Sequence, residues 1–176
     1  MAQKTALVII DVQEKLLSVM HEKDTLVKNI CTLVKACRLL EIPVINCRQY
    51  PKALGETAAE IQELLTDEPV DKRCFSCAAG DDFQKRLKST GCEKLILCGI
   101  EAHICVYQTA RDLISAGFKV EIPADAVDSR TAENKQIAIE RLRQEKALIS
   151  SIEMSLFDML ETSEHPKFRE VSRLIK

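Results

Sequence analysis

The sequence is poor in glycine and has no long apolar run, and both absences restrict what the protein can do. Its five glycines form no G-x-G-x-x-G fingerprint and no P-loop, so a nucleotide held on a glycine-rich phosphate cradle is disfavoured. No apolar run approaches the roughly 18 residues that a membrane-spanning helix requires. No signal-peptide pattern precedes the first apolar segment, so we expect a cytoplasmic protein with no membrane partner.

Neither sign of charge is in excess. The 25 Lys and Arg residues nearly balance the 27 Asp and Glu residues, giving a formal net charge of −2. This balance gives no electrostatic reason to expect nucleic acid as a partner. A length of 176 residues suits one domain. Because no repeat, low-complexity segment or linker divides the chain, we predict a single domain over residues 1–176.

Cysteine, by contrast, is abundant. The eight cysteines stand mostly inside apolar segments, at positions 31, 37, 47, 74, 77, 92, 98 and 105. In a cytoplasmic chain this placement predicts free thiols rather than a disulfide framework. Only Cys74 and Cys77 have the spacing of a redox or half-zinc motif, and the three histidines supply no matching second pair of ligands. We therefore expect no metal and no other cofactor.

Strand-like and helix-like segments alternate along the whole chain. Thr5–Ile10 and Lys94–Gly99 are continuous apolar runs, typical of strands buried on both faces, and residues 24–40 show helical spacing with Asp24 as a possible N-cap. Further strands are predicted over 42–47, 70–73, 118–122 and 147–150, further helices over 57–65, 81–88, 105–116, 131–145 and 154–160, a loop over 48–57 and a polar tail after 160. This order predicts an α/β fold, a Rossmann-like three-layer α/β/α sandwich around a six-stranded parallel sheet.

Such sheets bind ligands beyond the carboxyl ends of their strands, and three chemically active side chains follow predicted strands. Asp11 ends the first strand, where an acid is costly unless it is paired or used, although it could instead cap the next helical segment. Cys105 opens a helix, whose N-terminus favours a thiolate, or it is one more buried thiol. Lys72 could be part of a solvated charged run. Placed close to Asp11, it would form an ion pair and favour the thiolate form of Cys105.

Three ordered motifs resemble those of the isochorismatase-like hydrolases. Ala6–Gln13 resembles the opening motif of that family, whose aspartate is the catalytic base. Lys72–Ser76 resembles the lysine motif, and Gly99–Ala110 resembles the motif in which a cysteine opens a helix. The segments Gln49–Gly55 and His165–Phe168 resemble the subgroup of isochorismatase domain-containing proteins. The likeness extends over nearly the whole chain.

The resemblance implies a cysteine-dependent hydrolase that cleaves a small amide-like C–N substrate through a thioester. Asp11 would be the base, Lys72 would support the charged pair and Cys105 would be the nucleophile. The resemblance also implies an oxyanion hole made by the backbone N–H groups of Glu101 and Cys105, just after a cis peptide bond between Ile100 and Glu101. A small-molecule substrate is expected in a pocket formed by Gln13, Gln49, Tyr50, Phe75 and His103. Members of this family commonly form dimers, tetramers or larger rings, so we expect a homo-oligomer.

Two departures from the family pattern restrict the substrate. The metal-dependent nicotinamidases carry an aspartate and paired histidines after the second strand, and residues 47–57 contain no histidine. Isochorismatases proper lack the nucleophilic cysteine, so Cys105 argues against isochorismate. The substrate therefore stays open. Two other hypotheses also stay open, namely a catalytically silent scaffold with this fold and a thiol redox sensor that uses Cys105 or the Cys74/Cys77 pair.

Overall fold

Six parallel strands form the centre of the fold, in a computed structural model that describes residues 4–175. The strands are β1 (Thr5–Ile10), β2 (Val44–Gln49), β3 (Val70–Lys72), β4 (Lys94–Gly99), β5 (Lys119–Pro123) and β6 (Leu148–Ser150). They stand in the order β3-β2-β1-β4-β5-β6, and every neighbouring pair is parallel. The predicted six-stranded parallel sheet is confirmed.

Helices cover both faces of this sheet. They are α1 (Glu14–Leu17), α2 (Lys23–Leu39), α3 (Pro51–Leu54), α4 (Ala59–Gln62), α5 (Asp81–Thr90), α6 (Tyr107–Ser115), α7 (Ala132–Gln144), α8 (Ile152–Leu160) and α9 (Phe168–Arg173). A 3₁₀ turn spans Cys77–Ala79, and a π-helical turn at Ala102–Val106 leads directly into α6. Within residues 4–175, no helix is long and apolar enough to cross a membrane.

The alternation of side chains along β1 creates two separate cores. Leu7 and Ile9 point to one face, where they pack with buried residues of α2, α8 and α9. Ala6, Val8 and Ile10 point to the other face and pack with α5, α6 and α7. All five side chains are fully buried. A strand covered on both faces must be apolar at every position, which is why β1 reads as a continuous apolar run.

Several sequence predictions of local structure are wrong. α2 begins at Lys23 with Glu22 as its N-cap residue, so Asp24 lies inside the first turn. The helix predicted to begin at Cys105 begins at Ala102, because the π-helical turn precedes α6. The predicted loop over 48–57 contains the end of β2 and the short helix α3. The polar tail contains α9, whose Val171 is fully buried.

The chain changes direction across the sheet at β1, and this reversal positions the functional site. From β1 the chain builds β2 and β3 on one side, then returns to place β4 on the other side of β1. At such a switch point the two diverging connections leave a crevice beyond the carboxyl ends of the central strands. Asp11 and the loop after Gly99 border this crevice.

The last residue of β4, Gly99, has to be a glycine because the backbone of β1 lies where a side chain would start. It has φ +116°, and a Cβ at this position would lie 2.1 Å from the carbonyl oxygen of Ile10. We expect Gly99→Ala to lower the free energy of unfolding by about 3 kcal/mol or more, or to prevent folding. Gly91→Ala is the control, because Gly91 also has positive φ (+60°) but open space around it; it should cost only about 1 kcal/mol. Equal losses in urea unfolding would contradict the steric explanation.

Candidate active site

Asp11 is held at the carboxyl end of β1 with its side chain fully buried. Its φ of 56° is left-handed, and its backbone N–H donates to the carbonyl oxygen of Cys47 at 3.0 Å. The alternative that Asp11 caps the following helix is wrong, because the N-cap residue of α1 is Gln13 and α1 receives no side-chain cap. The burial of this carboxylate therefore has to be compensated elsewhere.

That compensation comes from Lys72, the last residue of β3. Its Nζ donates to Asp11 Oδ2 at 2.7 Å, to Gln49 Oε1 at 2.7 Å, and to the carbonyl oxygens of Cys74 and Phe75 at 3.2 and 3.0 Å. Although burial favours the neutral amine, the Asp11 carboxylate raises the pKa of Lys72 above its ordinary value. The raised pKa favours the ammonium form of Lys72 at neutral pH.

One oxygen of the Asp11 carboxylate is hydrogen-bonded within residues 4–175 and the other is not. Oδ2 accepts from Lys72, whereas Oδ1 is buried without a hydrogen-bond donor of ordinary geometry in the described part of the chain. Burial raises the pKa of Asp11 by more than Lys72 lowers it. Such a carboxylate is a better proton acceptor than a solvated aspartate.

Cys105 is the thiol that interacts electrostatically with that carboxylate. It is the fourth residue of the π-helical turn and is 7% exposed. Burial, followed by the Asp11 charge, raises the pKa of its thiol, and Lys72 opposes this rise only in part. The predicted depression of this pKa by a helix N-terminus is wrong, because Cys105 lies inside the helical segment and beside a carboxylate. The resting group is a neutral thiol.

This arrangement makes a clear prediction about the reactivity of Cys105. Replacing Asp11 with asparagine removes the charge that raises the pKa of the thiol, so we expect Asp11→Asn to shift the pH dependence of Cys105 alkylation by iodoacetamide to lower pH. Asp71→Asn is the control, because Asp71 is exposed and pairs with Arg48. Peptide mapping by mass spectrometry gives the rate at each cysteine. A pH dependence of Cys105 alkylation that is unchanged or shifted to higher pH in Asp11→Asn would contradict the proposed electrostatics.

The loop that carries Cys105 is fixed by the segment after β5. The peptide bond between Ile100 and Glu101 is cis, as the family resemblance implied. The buried Glu101 carboxylate accepts from Arg130 Nη2 at 2.6 Å and from Arg130 Nε at 3.0 Å, and Arg130 lowers the pKa of Glu101. The Ala102 N–H donates to the Asp128 carbonyl oxygen at 2.8 Å. Bidentate pairing of this kind fixes both partners in orientation.

Three of the five predicted pocket residues lie on the β1–β2–β3 side of the site. The Gln13 side chain is fully buried; its Nε2 donates to the Gln49 and Gly55 carbonyl oxygens, and its Oε1 accepts from the Gln49 N–H. Gln49 in turn contacts Lys72 directly. Tyr50 stacks against the guanidinium of Arg73 at 3.6 Å. Gln13 and Gln49 thus position the charged pair, and a contact of these residues with substrate stays a prediction.

Phe75 and His103 are the other two predicted pocket residues. The Phe75 side chain is 56% exposed, and only its carbonyl oxygen reaches Lys72. His103 Nδ1 is 2.9 Å from Ser129 Oγ, so its ring is oriented by the same post-β5 segment. Sequence reasoning missed Arg130 and Ser129, whose only signal was their place after a predicted strand.

The fold and this site define a parallel α/β protein with a buried acid–lysine pair beside a thiol. The isochorismatase domain model matches residues 5–154. Isochorismatase domain-containing protein 2 of Danio rerio is 39% identical over 173 residues, which cover 97% of this chain and 86% of that protein. The secreted isochorismatase effector Isc1 of Phytophthora sojae is 36% identical over 178 residues, which cover 98% and 84%. The chain belongs to the isochorismatase family, whose members are generally hydrolases.

Solved structures agree with this assignment. The MAR1 ribonuclease of Caenorhabditis elegans superposes with a TM-score of 0.92 at 36% identity, over 99% of this chain and 90% of that one. The YcaC gene product of Escherichia coli, described as an octameric hydrolase of unknown specificity, has a TM-score of 0.86 at 22% identity, over 97% and 92%. At this lower identity the likeness shows a shared fold.

Proposed function

We propose that this protein is a cysteine-dependent hydrolase that cleaves a small amide-like C–N bond through a thioester on Cys105. The observation that carries the proposal is a buried carboxylate, Asp11, with one oxygen held by the Lys72 ammonium and the other open beside a neutral thiol. A nucleophile, its base and a group that orients the base are the parts that covalent catalysis requires.

In the proposed first half-reaction, Asp11 accepts the thiol proton while the Cys105 sulfur bonds to the substrate carbonyl carbon. The backbone N–H groups of Glu101 and Cys105 would hold the resulting oxyanion. Asp11 then returns the proton to the substrate nitrogen, the C–N bond breaks and ammonia or an amine leaves. Lys72 stays protonated throughout and limits the rise in the pKa of Asp11.

In the second half-reaction a water molecule attacks the thioester carbonyl carbon, and Asp11 takes a proton from this water. The C–S bond breaks, the acid product leaves, and the sulfur regains the proton held on Asp11. The enzyme is restored with no net change in proton or electron count. Because one buried base serves both halves, its raised pKa suits it to transfer protons in both directions.

Trapping the thioester tests the proposal directly. The protein is mixed with a panel of small primary amides, quenched in acid and weighed by intact mass spectrometry, followed by peptide mapping. We expect an acyl adduct on Cys105 for the amides that are turned over, and ammonia release in parallel. An adduct on a different cysteine, or turnover without any adduct, would contradict the assignment of the nucleophile.

The alternative hypotheses give different results in the same assay. A scaffold protein would release no ammonia, and a thiol sensor would form a reversible disulfide under peroxide without acylation. The name of the Caenorhabditis elegans relative makes RNA a further substrate to include. The charges beside the site do not favour it: Lys72 and Arg130 are each paired with a carboxylate, whereas phosphodiester binding uses cations that face the ligand.

We also propose a homo-oligomer and a cytoplasmic location. The octameric state of the Escherichia coli neighbour supports assembly, as do exposed apolar side chains such as Phe75 and Phe157, since such residues are frequent at interfaces. The Phytophthora sojae relative is named as secreted, so fractionation of the native host cells is the direct test of location. Light scattering of the purified protein gives its assembly state.

A further inference from the structure

A second cluster of chemically active side chains lies outside the proposed active site. His21, Glu22 and Asp128 each offer one ligand atom, and these three atoms lie within 4.8 Å of one another. The backbone N–H of His21 donates to the Ser129 carbonyl oxygen at 3.1 Å, and this bond holds His21 next to Asp128. The Glu22 N–H donates to Asp128 Oδ2 at 2.7 Å. Backbone hydrogen bonds therefore hold the cluster together independently of the side chains of His21 and Glu22.

A second observation, which does not depend on the spacing of the three side chains, also points to a ligand: the state of the Asp128 carboxylate. Asp128 is fully buried, and its Oδ1 accepts no hydrogen bond from any residue between 4 and 175. Burying a carboxylate oxygen without a partner costs free energy. The other oxygen of Asp128, Oδ2, accepts a hydrogen bond from the Glu22 N–H. The Nζ of Lys135 is 3.4 Å from Glu22 Oε2, and it forms no hydrogen bond with Asp128 Oδ1.

We propose that His21, Glu22 and Asp128 bind a divalent transition-metal ion. One imidazole nitrogen and two carboxylate oxygens form a donor set that suits borderline ions such as Zn²⁺ or Co²⁺. Such an ion would compensate the charge of the buried Asp128 carboxylate. His21 and Glu22 are exposed, so the ion can enter from solvent and retain water at its remaining positions.

The site has a structural consequence for the nucleophile loop. Asp128 also accepts from the Ala102 N–H through its carbonyl oxygen and donates its own N–H to the Gly99 carbonyl oxygen. A bound ion therefore ties the start of α2 to the segment that holds the loop of Cys105. From the sequence we expect no metal. This cluster cannot be found from the sequence, because Asp128 lies 106 residues after Glu22.

Cobalt binding tests the site, because the visible spectrum of Co²⁺ depends on the ligands that hold the ion. The full chain is titrated with Co²⁺, with the bound metal measured after dialysis and the visible spectrum recorded. We expect one ion per chain, a higher melting temperature with Co²⁺, and affinity lowered by about tenfold or more in both His21→Ala and Glu22→Gln, since even outer-shell changes cost about 10–100-fold. Asp24→Asn changes an exposed acid in the first turn of α2, close in sequence to His21 and Glu22, and this variant should bind Co²⁺ as wild type does.

Two further measurements keep the result unambiguous. Lys135→Met removes the cation that competes for Glu22 and should tighten Co²⁺ binding. A thiolate-to-cobalt charge-transfer band that is lost in Cys74→Ser would place the metal on cysteine and overturn the proposal. Wild-type affinity in His21→Ala, or no binding by the wild-type chain, would also overturn it.

Discussion

The Cys105→Ala variant is expected to lose hydrolytic turnover by about 10³-fold or more, the scale seen when a covalent nucleophile is removed. Asp11 and Lys72 remain in place in this variant, but no sulfur is available to attack the carbonyl carbon. The loss should appear in the rate constant of turnover, and substrate affinity should change little. Ammonia release from the best amide of the panel measures both values.

Cys74→Ala is the matched control for this substitution. Cys74 is exposed, and only its carbonyl oxygen contacts Lys72, so removing its thiol leaves the backbone contact intact. We expect wild-type turnover in this variant. If Cys105→Ala and Cys74→Ala were equally active, Cys105 would have no covalent role.

Lys72→Met should lower the free energy of unfolding by about 3–5 kcal/mol at neutral pH, because it leaves the Asp11 carboxylate buried without its partner. The side chains of Asp11 and Lys72 are 1% and 3% exposed, so solvent cannot replace the lost contact. Lys85→Met is the control, since Lys85 is exposed and pairs with an exposed acid; it should change stability by no more than about 0.5 kcal/mol. Urea unfolding measures both variants.

The same variant has a predictable pH dependence. The pKa of Asp11 is already raised above its ordinary value of 3.8 in the folded protein, and loss of Lys72 raises it further. A folded-state pKa above the unfolded one favours the folded state at low pH, and that advantage is lost as the pH rises through the raised value. The instability of Lys72→Met should therefore be smallest near pH 3.8 and grow toward neutral pH.

The double variant Asp11→Asn/Lys72→Met separates charge from packing. It removes both charges while keeping similar side-chain volumes, so we expect it to recover most of the stability lost in Lys72→Met. Its turnover should stay low, because asparagine cannot accept the thiol proton. A double variant as unstable as the single one would show that packing, not an unpaired charge, causes the loss.

The central strands were predictable because burial on both faces leaves a continuous apolar run. β1 and β4 match their predicted bounds for this reason. The start of the helix before Cys105 was not predictable, because the π-helical turn uses a bond from Val106 N–H to the Glu101 carbonyl oxygen, five residues back, which helical periodicity of 3.6 does not represent. α9 is short, and its burial depends on contacts with the distant α2 core.

That Asp11, Lys72 and Cys105 lie together in the candidate site was predictable, but the electrostatics of these groups were not. The motifs pointed to Asp11, Lys72 and Cys105, yet Asp11 and Lys72 are 61 residues apart, and only the sheet order brings them into contact. Whether the thiol is ionised depends on burial and on the distance to a carboxylate, neither of which a linear sequence contains. For the same reason the sequence did not predict the contact of Arg130, which follows β5, with Glu101, 29 residues earlier in the chain.

The position of β1 in the middle of the sheet has a consequence for synthesis on the ribosome. β1, β2 and β3 leave the ribosome first, so the Asp11–Lys72 pair can form before the segment with Cys105 emerges. Until Lys94–Gly99 emerges, the second edge of β1 lacks its partner, and an apolar strand with an open edge invites pairing with other chains. We therefore expect a nascent chain of this protein to be most exposed to wrong strand pairing between the emergence of β3 and that of β4.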